Sequence, residues 1–333
     1  MGKKKNINII SESAKSGKIT GPYKVFLNTC KGFGQIGQPY TVNHNIYSCE
    51  RNWIHDSVGG FMEMAVSGLP GVVGPNIFIL PDDIPKYRPK LKNCIYVHPS
   101  VWPIRLWERL GFDECKLEIW SAGIDIDYFI PEKKEKSKQV MVYFKEREAK
   151  LLDKVLEVLS SEKIEPAVIN YGNYKEDYYL DTLQNSIFGI WLGRHESQGI
   201  AMLEALSAGL PLLVIDVNSL FEVSAENHYR FPPGLKNFRV TSAPYFSDRC
   251  GIIIKDIGRL EGTVRQMTEN YKKYNPRQYI LENLSLRKSA QRIVGLFDKL
   301  ENDGFLQKFT GSVDKEFQLS VRSKLLLKIN KFL

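Results

Sequence analysis

Residues 188–216, FGIWLGRHESQGIAMLEALSAGLPLLVID, constrain this chain more than any other stretch. An apolar run passes through a short polar turn into apolar residues at helical spacing, which stop at Gly209 and Pro211 before a second apolar run. The pattern predicts a strand, a turn, a helix and another strand. Glu196 falls in the turn and Glu204 inside the helix, so two carboxylates bracket a helix start whose first amides lack intrahelical partners. Free amides attract anions and carboxylates accept hydroxyl protons, so the segment suits a ligand that is both anionic and hydroxylated.

The same alternation recurs elsewhere. In the second half, apolar strands at 140–144 and 167–171 alternate with helical periods at 147–159 and 176–184, ahead of the 188–216 segment. A strand at 251–255 and helices over roughly 258–273 and 276–300 follow it. In the first half, strands are expected at 7–10, 39–43, 71–74, 93–97 and 117–120. Tyr23, Phe26, Leu27, Cys30 and Phe33 recur at three- and four-residue spacing, which predicts a helix with Pro22 in its first turn; a strand over 23–28 is the alternative. Further helices are expected around 56–67 and from Val101 to Leu110. Gly21 then sits at a strand-to-helix turn where free amides attract phosphate, unless Gly17 and Gly21 only make a flexible loop. Strands alternating with helices through short connections give a parallel sheet covered on both faces. The chain therefore reads as α/β, with two Rossmann-like domains at 1–131 and 140–300, parallel sheets facing across a cleft, a polar linker at 132–139 and a basic tail at 301–333.

Composition narrows the function classes. With 43% hydrophobic and 25% charged residues the chain suits a cytoplasmic globular protein, and it contains no apolar run long enough to span a bilayer. Net charge is +8, but Lys3, Lys4, Lys5, Arg322, Lys324, Lys328 and Lys331 carry much of the excess, so no basic groove for nucleic acid is demanded. Val321, Leu325, Ile329 and Phe332 share one helical face between those basic residues. The tail either meets an anionic membrane surface peripherally or packs back on the first domain. Five scattered cysteines without CxxC spacing argue against a disulfide framework and against a zinc site.

In a doubly wound sheet, ligands bind beyond the carboxyl ends of the strands, and Glu196 lies four residues past a strand ending near Leu192. The amides of Gln198, Gly199 and Ile200 are offered to an anion there. At roughly 100° per residue Glu204 projects about 80° from a helical Glu196, so both carboxylates can face one ligand. A nucleotide sugar has that layout of hexose hydroxyls, diphosphate and ribose hydroxyls. The plainer alternative pairs Glu204 with a Lys or Arg on an exposed helix face.

HESQGIAMLEALSAGLPLLV resembles the Glu-x7-Glu signature of family-4 retaining glycosyltransferases with the GT-B fold. Glu196, Ser197, Gly199, Ile200, Glu204, Ala205, Leu206, Gly209 and Pro211 carry the likeness, with Gln198 where the family usually has Phe. SAGIDIDYFIP, from Ser121, is similar to the family motif at the end of the N-terminal domain, with Ala122 in place of Asn. VYFKEREAK, from Val142, occupies the place of the family's basic loop, and SGKITGPYKVF is similar to its Gly-rich donor loop. The resemblance implies transfer of a hexose, with retention, from a UDP-, GDP- or ADP-sugar bound by the second domain to a glycan or glycoconjugate acceptor on the first. Glu196 would bind the transferred sugar and Glu204 the donor ribose. Ser197, Gln198, Gly199 and Ile200 would face the phosphates, Gly21 would close over them, and Lys145 with Arg147 or Lys150 would neutralise the leaving diphosphate. Lys145 stands where the family has Arg, keeping charge but losing the forked donor geometry. Asn76 takes the place of the family's N-domain histidine, leaving His98 and His195 as weaker candidates. No metal and no Asp-x-Asp motif of the metal-dependent class are expected, and the nucleotide sugar is a co-substrate rather than a cofactor. A nucleotide-sugar epimerase or phosphorylase of similar fold, or a non-catalytic glycosyltransferase-like binding subunit, are the alternatives.

Overall fold

The computed structural model describes residues 4–17, 20–75, 77–84, 91–132, 139–223 and 231–306. The chain divides into two compact units, one containing the residues up to Gly123 and those from Leu286 onward, the other Ile124–Ser285. All five cysteines are free. Among the described residues no helix is long and apolar enough to cross a membrane.

The first unit is built on six parallel strands, β1 (Ile7–Ile10), β2 (Tyr40–Val42), β3 (Arg51–Ile54), β4 (Gly71–Val73), β5 (Cys94–His98) and β6 (Lys116–Ile119), in the order β2-β1-β3-β4-β5-β6. Helices α1 (Glu12–Ser16), α2 (Gly21–Ile36), α3 (Val58–Ser67) and α4 (Val101–Arg109) make the connections. The helical period starting at Tyr23 is realised in α2, and the alternative strand over 23–28 is not formed. Thr20 caps the helix by accepting the Tyr23 N–H, Pro22 lies in the first turn, and Gly37 ends it in a left-handed conformation. Since α1 stands between β1 and α2, Gly21 is not at a direct strand-to-helix turn, contrary to the expectation from the sequence pattern.

Strand β3 is the main departure from the sequence expectation. Its segment, RNWI, carries two polar residues yet lies fully buried beside β1 in the sheet. Asn52 is satisfied by neighbouring loops and strands: its amide donates to Ile46 O and Cys49 O at 2.8 and 2.9 Å, and its Oδ1 accepts from Asn8 Nδ2 at 3.0 Å. A buried strand needs its polar groups paired, not absent, so hydrophobic alternation alone does not mark it.

The second unit contains β7 (Gln139–Phe144), α5 (Ala149–Ser161), β8 (Glu165–Asn170), α6 (Glu176–Asn185), β9 (Ser186–Leu192), α7 (Ile200–Ser207), β10 (Leu212–Ile215), β11 (Gly251–Ile254), α8 (Leu260–Asn270) and α9 (Pro276–Asn283). Its five strands are parallel in the order β11-β10-β9-β7-β8. Both faces are apolar: Val140 and Val142 of β7 join a core with Val155 and Leu159 of α5, while Met141 and Tyr143 join Leu203 and Leu206 of α7. This two-sided burial explains why the strands read as continuous apolar runs.

The expected helix over 276–300 is broken. Leu284 O accepts the Ile124 N–H at 2.8 Å and Ser285 bridges to Ile124, after which α10 (Leu286–Asn302) packs against α2. Arg51 of β3 fixes α10 with ion pairs of 2.8 Å to both Asp298 and Glu301, and Trp120 donates to Ser289 O at 3.1 Å. The compact units therefore part at Gly123 and at Ser285, not at 132–139 and 300, because α10 buries Ile293 and Phe297 within the first unit. Residues 133–138 of the polar run and 307–333 of the tail lie outside the described residues.

Candidate active site

In each sheet the strand order reverses once, between β1 and β3 in the first unit and between β7 and β9 in the second. At such a point adjacent connections leave in opposite directions and open a crevice beyond the carboxyl ends. Lys145 directly follows β7, and its backbone N–H donates to Leu192 O of β9 at 3.0 Å. Its Nζ donates to Glu196 Oε1 at 2.6 Å and lies 4.1 Å from the centre of the Tyr171 ring. The side chains of Lys145 and Glu196 are only 10% and 15% exposed, so the pair is weakly screened. Below it, Tyr143 and Trp191, partners in the strand register, stack at 3.9 Å and 5°. Burial pushes the Tyr143 phenol well above its usual range, so it stays neutral. A Cβ at Gly193 would come within 2.6 Å of Trp191 Nε1, which restricts that position to glycine while the stack is intact.

Several contacts fix the turn that carries Glu196. Its N–H donates to Thr241 O at 3.0 Å. Buried Asp216, following β10, holds that segment by accepting Thr241 Oγ1, Ser242 N and Ser242 Oγ at 2.9, 2.7 and 3.0 Å. Arg147 Nη1 donates to Gly193 O and Ile215 O at 2.9 and 3.2 Å, tying together the loops after β9 and β10. Burial lowers its pKa from the ordinary arginine value. Lys150 is exposed in the first turn of α5.

Ser197 is exposed, Gln198 is buried, and Gly199 caps α7 with φ +76°, a left-handed conformation that strains any side chain. Ile200 begins the helix. Glu204, one turn further, is 3% exposed. It is therefore not a glutamate on an exposed helix face, which removes the plainer reading of that residue. Tyr179, whose hydroxyl donates to Ala201 O at 2.7 Å, has its pKa raised by burial and, to a lesser degree, by the charges of Tyr174 and Glu204. The second unit thus joins Lys145 and Glu196 beyond the ends of β7 and β9, with α7 and its buried Glu204 following directly in the chain.

Gly21 begins α2 in the first unit, where an added Cβ meets nothing within 4 Å. Asn76 lies outside the described residues. His98 is packed between Tyr96 and Trp107 at 5.0 and 4.5 Å, and burial lowers its pKa to about 3. His195 is pushed down to about 4 by burial and then by Arg194 and Lys145, so it is neutral at physiological pH. Asp125-Ile126-Asp127 is an Asp-x-Asp sequence, contrary to the expectation of none, and Asp125 Oδ1 accepts the amides of Asp127 and Tyr128 at 3.3 and 3.2 Å in a turn.

Sequence reasoning did not find His55 and Asp56, which follow β3 at the reversal point of the first unit. His55 is fully buried between Phe26 and Trp53. Asp56 accepts the Glu12 N–H at 2.8 Å and the Ser13 hydroxyl, capping α1. Burial raises the Asp56 pKa, but His55 and the serine hydroxyls outweigh it and bring the carboxyl down to about 2. Recognising β3 would have located both residues. Tyr171 and Asp216 were also missed; their signal is position alone, each directly following a strand.

Two Rossmann-like units of parallel sheet define the GT-B fold class. The chain is similar in structure to sucrose-phosphate synthase from Thermosynechococcus elongatus, at 10% identity with a TM-score of 0.56 over 90% of this chain and 100% of that one. It is likewise similar to HepE from Anabaena in complex with UDP and glucose, at 10% identity and TM-score 0.55 over 89% of this chain and 100% of that one. The lipopolysaccharide outer core galactosyltransferase WaaB aligns at 12% identity and TM-score 0.52 over 88% and 99%. No family model and no curated protein sequence matches the chain.

Proposed function

We propose that this chain is a glycosyltransferase that moves a hexose from a nucleotide-sugar donor to a glycan or glycoconjugate acceptor, with retention and without a metal. The observation that carries this reading is the Lys145–Glu196 pair, joined at 2.6 Å at the β7/β9 reversal point and followed by a glycine-capped helix bearing buried Glu204. The fold it shares with HepE, whose structure contains UDP and glucose, supports the same reading.

When the bond between the sugar and the diphosphate breaks, negative charge grows on the departing phosphate oxygen. Lys145 holds its ammonium in a partly buried setting, where a preorganised charge stabilises that oxygen more than it would in water. Glu196 accepts hydroxyl protons of the transferred sugar, and Glu204 those of the ribose. Arg147, spent on two carbonyls, acts on the diphosphate mainly by holding the loops in place, while exposed Lys150 adds positive potential. Titration with UDP, GDP and ADP, followed by donor turnover with a panel of glycan acceptors, tests the reading. Absence of binding by all three nucleotides would refute it.

A further inference from the structure

Three neighbouring strands of the second unit, in the order β9-β7-β8, each carry one side chain past their carboxyl ends. Lys145 directly follows β7, Tyr171 directly follows β8, and Glu196 lies in the turn after β9. The register aligns Phe144 of β7 with Asn170 of β8, and the Tyr171 N–H donates to Phe144 O at 2.9 Å, so Lys145 and Tyr171 continue that pairing one step beyond the sheet. On the other side the Lys145 N–H is held by Leu192 O at 3.0 Å. The backbone at Lys145 is therefore fixed between its neighbours, while its long, flexible side chain needs partners of its own.

The ammonium has two such partners. One of its three N–H donors goes to Glu196 Oε1 at 2.6 Å, and the Tyr171 ring lies against the charge at 4.1 Å. They differ in kind. A carboxylate neutralises the ammonium and occupies a donor, so it competes with a diphosphate on both counts. An aromatic face attracts the charge through its quadrupole and occupies no donor, so it can hold the ammonium while phosphate oxygens take the remaining N–H groups. The Lys145 side chain is only 10% exposed, and such desolvation strengthens the contact. Without the ring, Lys145 would be drawn to Glu196 alone. We propose that Tyr171 is a positioning residue: its ring seats the Lys145 ammonium between β8 and β9 and raises affinity for a diphosphate without contacting it. The effect on nucleotides rests on the glycosyltransferase reading; the seat itself does not.

Tyr171→Leu keeps bulk and removes the aromatic face, whereas Tyr171→Phe keeps the face and removes the hydroxyl. Tyr171 is 51% exposed, so either change leaves the apolar cores on the two sides of the sheet intact. Calorimetric titration of the full chain with UDP, GDP and ADP should show nucleotide binding weakened about two- to fivefold in Tyr171→Leu and within about twofold of the unaltered chain in Tyr171→Phe. In a Lys145→Met background, Tyr171→Leu should change nothing further. Independently, in protein carrying isotope-labelled lysine, the Lys145 Hε resonances should lie upfield of their random-coil position, stay there in Tyr171→Phe and return in Tyr171→Leu. Nucleotide binding as tight or tighter in Tyr171→Leu, an equal loss in both tyrosine variants, or a loss that persists without Lys145, as a base stacked on Tyr171 would give, would overturn the proposal. If Lys145→Met abolishes binding, the contrast between Tyr171→Phe and Tyr171→Leu decides together with the resonances. If the unaltered chain binds no nucleotide, the glycosyltransferase reading falls and the resonances alone decide the seat: Hε positions unaffected by Tyr171→Leu overturn it.

Discussion

Glu196→Gln separates what the ion pair does for stability from what it does for a ligand. The substitution leaves the Lys145 ammonium largely buried, with the Tyr171 ring at 4.1 Å and a neutral amide in place of the carboxylate. Breaking a buried pair by removing one partner costs about 3–5 kcal/mol. Residual exposure at both ends, the surviving neutral hydrogen bond and the cation–π contact bring the expected loss nearer about 2 kcal/mol. The consequence for binding has the opposite sign. In the free protein Lys145 is held by Glu196 at 2.6 Å, so a diphosphate reaching for that ammonium competes with a carboxylate. Removing the competitor should tighten binding of the free nucleoside diphosphate by up to about tenfold, equivalent to about 1.4 kcal/mol, while lowering sugar transfer. Calorimetric titration with UDP, GDP and ADP measures the change in affinity, and urea unfolding measures the loss of stability. An unchanged or weaker nucleotide affinity in the variant would refute the competition on which the prediction rests.

Three further outcomes follow from the geometry. Glu204→Gln, which removes the buried charge with little change of volume, should weaken nucleotide binding, read by the same titration; unaltered affinity would take Glu204 out of the site. Gly193→Ala places a Cβ against the Trp191 indole and should cost about 1–3 kcal/mol through displacement of the Tyr143–Trp191 stack, visible in near-ultraviolet circular dichroism. The Asp56 carboxyl is depressed to about 2, so its contribution is present above the unfolded carboxyl range near pH 4 and is lost as pH falls through about 2. Asp56→Asn should therefore lower the melting temperature at pH 6 and flatten its pH dependence between about pH 4 and 2.

Residues 188–216 were legible because every level of structure agrees there: apolar runs mark strands buried on both faces, Gly199 and Gly209 mark the ends of α7, and Glu196 lies past a strand end. The first unit was less so, for a physical reason. Strand β3 holds Arg51 and Asn52 inside the sheet because Arg51 pairs with Asp298 and Glu301 of α10, far away in sequence, and Asn52 with Asn8 of β1 and with carbonyls of the preceding loop, contacts that no hydrophobic pattern marks. His55 and Asp56 were hidden with it. The separation of α9 from α10 was equally hidden, since both halves share a helical period and only the contacts of Ile124 with Leu284 and Ser285 interrupt it. Lys145 and Glu196 were each visible as candidates, but the distance that couples them is a property of two loops folded onto adjacent strands.

The most direct test of the donor reading is a crystal structure of the chain with UDP, GDP or ADP, whichever binds. The expected result places the diphosphate within hydrogen-bonding distance of Lys145 Nζ, near the start of α7, with the ribose hydroxyls on Glu204. A nucleotide bound away from the carboxyl ends of β7 and β9, or bound there without contact to Lys145 or Glu204, would contradict it.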